Sequence, residues 1–155
     1  MSFRIRGLDP RPFAALFTLD DADLARRRAV RTVADARPGY PCRVTLEDAA
    51  PGTPVILVNH EHLAVESPYR ASHAIYVTAA AAPFDAEGVV PPALRARLLS
   101  VRAFDARGMM VDADVAEGAA LEALVARLFG RADVDYLHAH FARRGCFAAR
   151  IDRAH

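Results

Sequence analysis

Histidines recur in two pairs with the same spacing. His60 and His62 are two residues apart, and so are His138 and His140. Alternate residues of a β-strand share a face, about 6.5–7 Å apart along it, so each pair predicts two imidazoles that point the same way. Both pairs, with His73 and a carboxylate, would suit one divalent metal such as Zn, Fe, Ni or Cu. The alternative is a set of partly exposed histidines hydrogen-bonded within a sheet. We assign no metal ligand from the sequence and leave cofactors open.

The two cysteines indicate a second kind of chemistry. Cys42 and Cys146 are far apart, with no C-x-x-C spacing, which argues against a disulfide scaffold. A catalytic thiol needs a base or a positive field to become a thiolate, and Cys146 closely follows the predicted strand that carries His138 and His140. Because most cysteines are buried, small apolar residues, thiol catalysis is an alternative rather than the expectation.

Three arginines stand among apolar or turn residues instead of in a charge run. They are Arg43, Arg70 and Arg150. The planar guanidinium recognises carboxylate or phosphate through two parallel hydrogen bonds, and Asn59 and Tyr69 would add further bonds. The alternative for each arginine is an internal salt bridge with Glu47, Asp48 or Glu61.

These observations define a candidate ligand-binding set. Its members are Arg43, Asn59, His60, Tyr69, Arg70, His73, His138, His140, Cys146 and Arg150. We expect one polar pocket built from residues 59–73, the Cys42–Arg43 turn and the hairpin over 138–150. The sequence assigns no catalytic residue.

The elements that must position this set are hairpins and a few helices. Apolar strands are predicted at 55–58 and 74–77, on either side of a polar loop over 59–73. Hairpins are predicted over 99–115 and 134–152, each with glycine at its turn. Residues 118–129 place leucine and valine on one helical face, and a further short helix begins at Pro92. The sequence predicts a single α+β domain over 1–155, with a mostly antiparallel, twisted sheet and two to four helices.

Composition limits the classes of function. The chain has 155 residues, of which 53% are apolar and 25% charged, with a formal charge of +1. These values are typical of one globular domain and predict no binding to nucleic acid or to an anionic membrane. All twenty basic residues are arginine, so no mechanism that needs a lysine is available. The first ten residues hold no long apolar run, so we expect a cytoplasmic protein.

Several segments resemble a bacterial family of unknown function, the one numbered 1203. They are Phe3–Leu8, Pro41–Ala49, Ser67–Ile75, Arg102–Asp105 with Gly108–Val111, and Tyr136–His140 with Gly145–Arg150. The resemblance covers nearly the whole chain, which implies one domain, and it implies no particular activity.

Three functional hypotheses follow. The first is a module that binds a small anionic molecule through Arg43, Arg70 and Arg150. The second is a metal- or thiol-dependent enzyme that uses Cys146 or the histidines His60, His62, His73, His138 and His140. The third is a homo-oligomeric scaffold without pocket chemistry.

Overall fold

A computed structural model describes residues 2–155, and its strands form two antiparallel sheets. The strands are β1 Phe3–Arg6, β2 Ala29–Val33, β3 Pro54–Leu63, β4 Ala71–Val77, β5 Asp85–Glu87, β6 Leu98–Phe104, β7 Met110–Glu117, β8 Tyr136–Phe141 and β9 Phe147–Arg153. The larger sheet has the order β5-β1-β9-β8-β6-β7 and the smaller one the order β2-β3-β4. Every pairing between these strands is antiparallel. The α+β class and the mostly antiparallel sheet are therefore confirmed.

The described residues contain four α-helices, within the predicted number. They are α1 Arg11–Ala14, α2 Asp21–Arg26, α3 Pro92–Arg95 and α4 Leu121–Phe129, with single 3₁₀ turns at Ala15–Thr18 and Gly118–Ala120. The Asp20 carboxylate accepts a hydrogen bond from the backbone N–H of Asp23, so it caps α2. Pro92 occupies the first position of α3, where its missing N–H costs nothing. No helix in residues 2–155 is long and apolar enough to cross a membrane.

Two cores stabilise the chain. Helices α3 and α4 bury apolar residues such as Leu94 and Leu121 against the larger sheet, where Ile5 and Leu99 are fully buried. The smaller sheet buries Ile56 and Ile75 against residues of the N-terminal helical segment. Each fully buried aliphatic side chain contributes roughly 1.5–3 kcal/mol from apolar transfer. These cores make both sheets rigid supports for the polar residues between them.

Strand β8 lies where the cores meet, and all six of its residues are buried. Leu137 and Ala139 pack in the main core. Because alternate residues of a strand point to opposite faces, His138 and His140 face away from that core. Ring contacts to His62 show that they face the end of the smaller sheet. The tertiary arrangement therefore buries two histidines between the sheets.

The predicted loop over 59–73 is mostly strand, which corrects the sequence-based expectation. β3 continues to Leu63 and β4 begins at Ala71, so the polar side chains lie on a long hairpin. The pairing is Glu61 with Ser72 and then Leu63 with Ala71, which leaves His62 as the extra residue of a β-bulge. A bulge bends its strand and redirects a side chain. Backbone pairing thus overrode the polar composition of this segment.

Candidate functional site

Three histidines from both sheets meet in one cluster. One ring nitrogen from each of His62, His138 and His140 lies within 4.8 Å of the others. The ring centroids of His62 and His140 are 5.1 Å apart, and Phe147 stacks on His62 at 4.9 Å. The β3 bulge supplies His62, and β8 supplies the other two. The cluster is therefore held by two rigid sheets and covered by an aromatic ring.

Burial keeps these imidazoles neutral at pH 7. It is the main cause that lowers the pKa of His62 and of His138 to about 3, and the pKa of His140 to about 4. Repulsion from the neighbouring histidines and from Arg102 acts in the same direction. A neutral imidazole carries one N–H and one lone pair, so each ring offers an acceptor nitrogen.

Hydrogen bonds identify which ring nitrogens of the histidine cluster already have a partner. Nδ1 of His140 lies 3.0 Å from the carbonyl oxygen of Gly145, which can only accept, so this nitrogen carries the proton. Nε2 of His62 lies 2.8 Å from Nδ1 of His73. The buried atoms His62 Nδ1, His138 Nδ1 and His140 Nε2 have no hydrogen-bond partner among the described residues. Such atoms are rare in folded proteins, because water or a neighbouring group usually satisfies them.

His60 does not join this cluster. Its ring packs edge-on against Phe13 at 5.7 Å, and it is absent from the group of nitrogens that converge. The sequence-based expectation that His60 and His62 act as one pair assumed regular alternation along the strand. The bulge at His62 breaks that alternation, so the two pairs do not converge as pairs. No carboxylate joins the three converging nitrogens in the described chain.

Arg43 is the most deeply buried arginine or carboxylate among residues 2–155. Only 2% of its surface is exposed, and its three nitrogens donate to Pro41 O at 2.6 Å, Phe147 O at 2.8 Å and Cys146 Sγ at 3.0 Å. The guanidinium also stands over the ring of Phe141. Burial lowers the pKa of Arg43, yet arginine stays protonated in proteins. No carboxylate in residues 2–155 forms a salt bridge with this buried charge.

A cleft of about 860 Å³ opens beside Arg43. Its lining includes Tyr40, Arg43, His73, Tyr76, Arg97, Phe141, Arg143, Arg144 and Cys146, together with the acidic residues Asp35 and Glu117. Arg97 is neutralised by a bidentate pair with Asp48 at 2.6 and 2.8 Å. Arg143 and Arg144 are exposed and have no hydrogen-bond or ion-pair partner within the described chain. The cleft therefore combines one buried and two exposed guanidinium groups that lack carboxylate partners.

The predicted candidate residues fall into three places. Arg43, His73 and Cys146 line the cleft, while His138 and His140 lie in the neighbouring cluster. The others lie outside both, and these are Asn59, His60, Tyr69, Arg70 and Arg150. Arg70 binds Glu61 and Glu66, and Arg150 binds Asp152 and stands over Tyr136. Both arginines thus form internal salt bridges. Glu61 is one of the partners that the sequence suggested, whereas Asp152 is not.

Sequence inspection missed Arg143 and Arg144, whose segment it predicts only as a hairpin turn. They lie between the His138–His140 strand and Cys146, so their position between two candidate groups was the available signal. Arg102 was missed as well. It pairs with His138 across β6 and β8 and is half-buried beside the histidines. Its partners depend on a strand order that no local pattern reveals.

The chain is similar to a protein family over most of its length. Residues 39–153 match the family model described as Protein of unknown function (DUF1203). No curated protein and no solved structure matches the chain. The matched range contains the histidine cluster, Arg43 and the Arg143–Cys146 turn. Because the match covers well over half of its length, this chain belongs to the DUF1203 family.

Proposed function

We propose that this protein binds a small organic anion, a carboxylate or a phosphate ester, in the cleft beside Arg43. The observation that carries the proposal is the Arg43 guanidinium, which is buried at 2% exposure without a carboxylate partner in residues 2–155. A buried charge is costly unless it is paired. An anion in the adjoining cleft would supply the missing negative charge.

The turn between β8 and β9 adds the groups that would contact the anion. Arg143 and Arg144 line the cleft and are exposed, whereas Arg43 is buried and would contribute mainly through its electrostatic field. Exposed ion pairs contribute about 0–1 kcal/mol each, and bidentate pairs between arginine and a carboxylate or phosphate are stronger. Two arginines without carboxylate partners among the described residues would therefore offer paired donors to a carboxylate or phosphate group.

The walls of the cleft favour an organic ligand over a bare inorganic ion. Tyr40 and Tyr76 contact each other edge-on at 5.1 Å, and Leu57 and Phe141 extend the apolar lining. A volume of about 860 Å³ falls in the range of roughly 300–1,000 Å³ that is usual for small-molecule sites. The carboxylate of Asp35 is engaged by the Tyr40 hydroxyl at 2.9 Å, which reduces its repulsion of an anion.

The proposal is tested by calorimetric titration with phenyl phosphate and with inorganic phosphate, at constant ionic strength set with NaCl. We expect saturable binding of both, with phenyl phosphate bound more tightly because its ring contacts the tyrosines. The double variant R143A/R144A should weaken binding at least about 10-fold, equivalent to about 1.4 kcal/mol.

The matched control is R26A/R27A, which removes two adjacent exposed arginines at the end of α2, outside the cleft. It should bind like the unmodified protein. Equal affinities for the two double variants, or heat signals that NaCl alone reproduces, would overturn the proposal.

A further inference from the structure

Each of the three converging imidazoles has a buried ring nitrogen without a hydrogen-bond partner in residues 2–155. Nδ1 of His62, Nδ1 of His138 and Nε2 of His140 are all buried, and none has a partner among the described residues. These residues are also the ones whose ring nitrogens lie within 4.8 Å of one another. Unsatisfied buried polar atoms are individually unfavourable, so three in one place require a common explanation.

The remaining hydrogen bonds of His62 and His140 leave a lone pair on the buried nitrogen that has no partner in the described chain. Nδ1–H of His140 donates to the Gly145 carbonyl at 3.0 Å, which leaves the lone pair on Nε2. The contact of 2.8 Å between His62 Nε2 and His73 Nδ1 leaves the lone pair of His62 on Nδ1 when Nε2 is the donor. Histidines that bind metals almost always donate their second N–H to a carbonyl or another group in this way.

From this arrangement we infer that His62, His138 and His140 form a binding site for a divalent transition metal ion. A ligand set made only of imidazoles favours Zn²⁺, Ni²⁺, Cu²⁺ or Fe²⁺ over Mg²⁺ and Ca²⁺, which require oxygen ligands. Three protein ligands leave the fourth position of a tetrahedral ion open. The site goes beyond the anion-binding proposal, because its ligands differ from the arginines of the cleft.

The packing around the cluster suits a small ion. A tetrahedral ion with bonds of about 2.0–2.1 Å needs donor nitrogens roughly 3.4 Å apart. Nitrogens within 4.8 Å of one another reach that separation by rotation of the side chains. The strands that carry the rings are fixed by sheet pairing, and Phe147 stacks on His62 at 4.9 Å. The protein therefore holds the donors near the required positions before an ion arrives.

Nearby charges determine what the open position would accept. Arg102 on β6 and Arg43 beside the cleft both add positive potential at the histidines, which opposes a cation. An anionic fourth ligand offsets that repulsion. His73 lines the cleft and contacts His62, so a small anion would reach the ion from the cleft side. We therefore expect the bound metal to retain an exogenous anion.

The test uses the full chain, purified without a histidine tag and treated with EDTA before dialysis. Titration with Co²⁺ should produce visible absorption bands of a low-coordinate site that saturate at one ion per chain. Zn²⁺ should displace Co²⁺ and abolish those bands, and azide should shift them by occupying the open position. The substitution His138→Asn should weaken Zn²⁺ binding more than roughly 100-fold.

Matched controls separate metal binding from folding. His60→Gln changes a histidine two residues from His62 that contacts Phe13 instead of the cluster, so it should leave Zn²⁺ affinity unchanged. Circular dichroism shows whether His138→Asn folds. If it does not, His62→Gln provides a second test, because His62 is only half-buried. Equal Zn²⁺ affinity for the His60 and His62 variants, or no saturable Co²⁺ spectrum, would overturn the inference. Neither result depends on whether phenyl phosphate binds.

Discussion

Nη2 of Arg43 donates to Sγ of Cys146 across 3.0 Å, although 103 residues separate the two positions in the chain. The same guanidinium binds the carbonyl oxygens of Pro41 and Phe147. Arg43 therefore connects the 41–43 segment to the start of β9, and Pro41, Arg43 and Cys146 all line the cleft. Cys42, the neighbour of Arg43, forms an isolated backbone β-bridge with Tyr76 of β4. The hydrogen bond between Arg43 and Cys146 therefore fixes Cys146 relative to the smaller sheet.

The two thiols should differ in accessibility. Cys146 is half-buried and lines the cleft, whereas Cys42 is 1% exposed and lies in the core of the smaller sheet. Iodoacetamide should therefore alkylate Cys146 and leave Cys42 unmodified in the native protein, as measured by peptide mass spectrometry. Saturating phenyl phosphate should slow the modification of Cys146 at least several-fold if it occupies the cleft. Preferential labelling of Cys42 would contradict the assigned burial.

Replacement of Arg43 by methionine should destabilise the protein by about 2–4 kcal/mol, because it leaves buried carbonyl groups without a donor. The free energy of unfolding is measured by urea denaturation. Arg11→Ala is the control, because its ion pair with Asp9 is exposed, and it should leave the free energy of unfolding nearly unchanged. If Arg43→Met proved as stable as the control, the three hydrogen bonds would contribute no net stability.

Gly7 is required by close backbone packing. A Cβ at this position would lie 1.9 Å from the carbonyl oxygen of Val44, well below any contact distance. Gly7→Ala should therefore destabilise the fold by at least about 2 kcal/mol, since the chain at 43–44 must move. Gly39→Ala provides the comparison, because its Cβ would meet Ala36 O at 3.5 Å. Thermal denaturation should give that variant an unchanged or slightly higher melting temperature.

The buried histidines predict a loss of stability in acid. In the metal-free protein the pKa of His138 is about 3 when folded and about 6.5 when unfolded. Between these values the unfolded state binds more protons, so stability rises with pH. The depressed pKa of His138 therefore makes the folded state progressively less stable as the pH falls from about 6.5 toward 3. The total loss is on the order of a few kcal/mol, and above about pH 6.5 there is no loss.

Other groups around His138 also titrate or carry charge. The dependence of the unfolding free energy on pH therefore reflects the whole cluster. They are His62, His140, Arg102 and Arg150. Urea denaturation of EDTA-treated protein at pH 7, 6, 5 and 4 measures the effect, and His138→Asn should flatten it. His155→Gln, at the exposed C-terminus, should not. An identical pH dependence for both variants would show that the slope has another origin.

The sequence by itself determined the α+β class, the hairpin before Cys146 and the amphipathic helix α4, because each depends on local periodicity and turn residues. It also predicted one polar pocket built from residues 59–73, the Cys42–Arg43 turn and the hairpin over 138–150. Of the ten candidate residues, Arg43, His73 and Cys146 line the cleft. The predicted fold class is confirmed, because local patterns of neighbouring residues are sufficient for it.

Only the tertiary structure decided which of the polar residues share a site. His60 and His62 look equivalent in sequence, yet a bulge that depends on pairing with β4 sends only His62 into the cluster. Arg70 and Arg43 also look alike, but Glu61 and Glu66 neutralise the first, while the second is buried without a carboxylate. Strand register and long-range pairing set these outcomes, and neither is encoded in the spacing of residues along the chain.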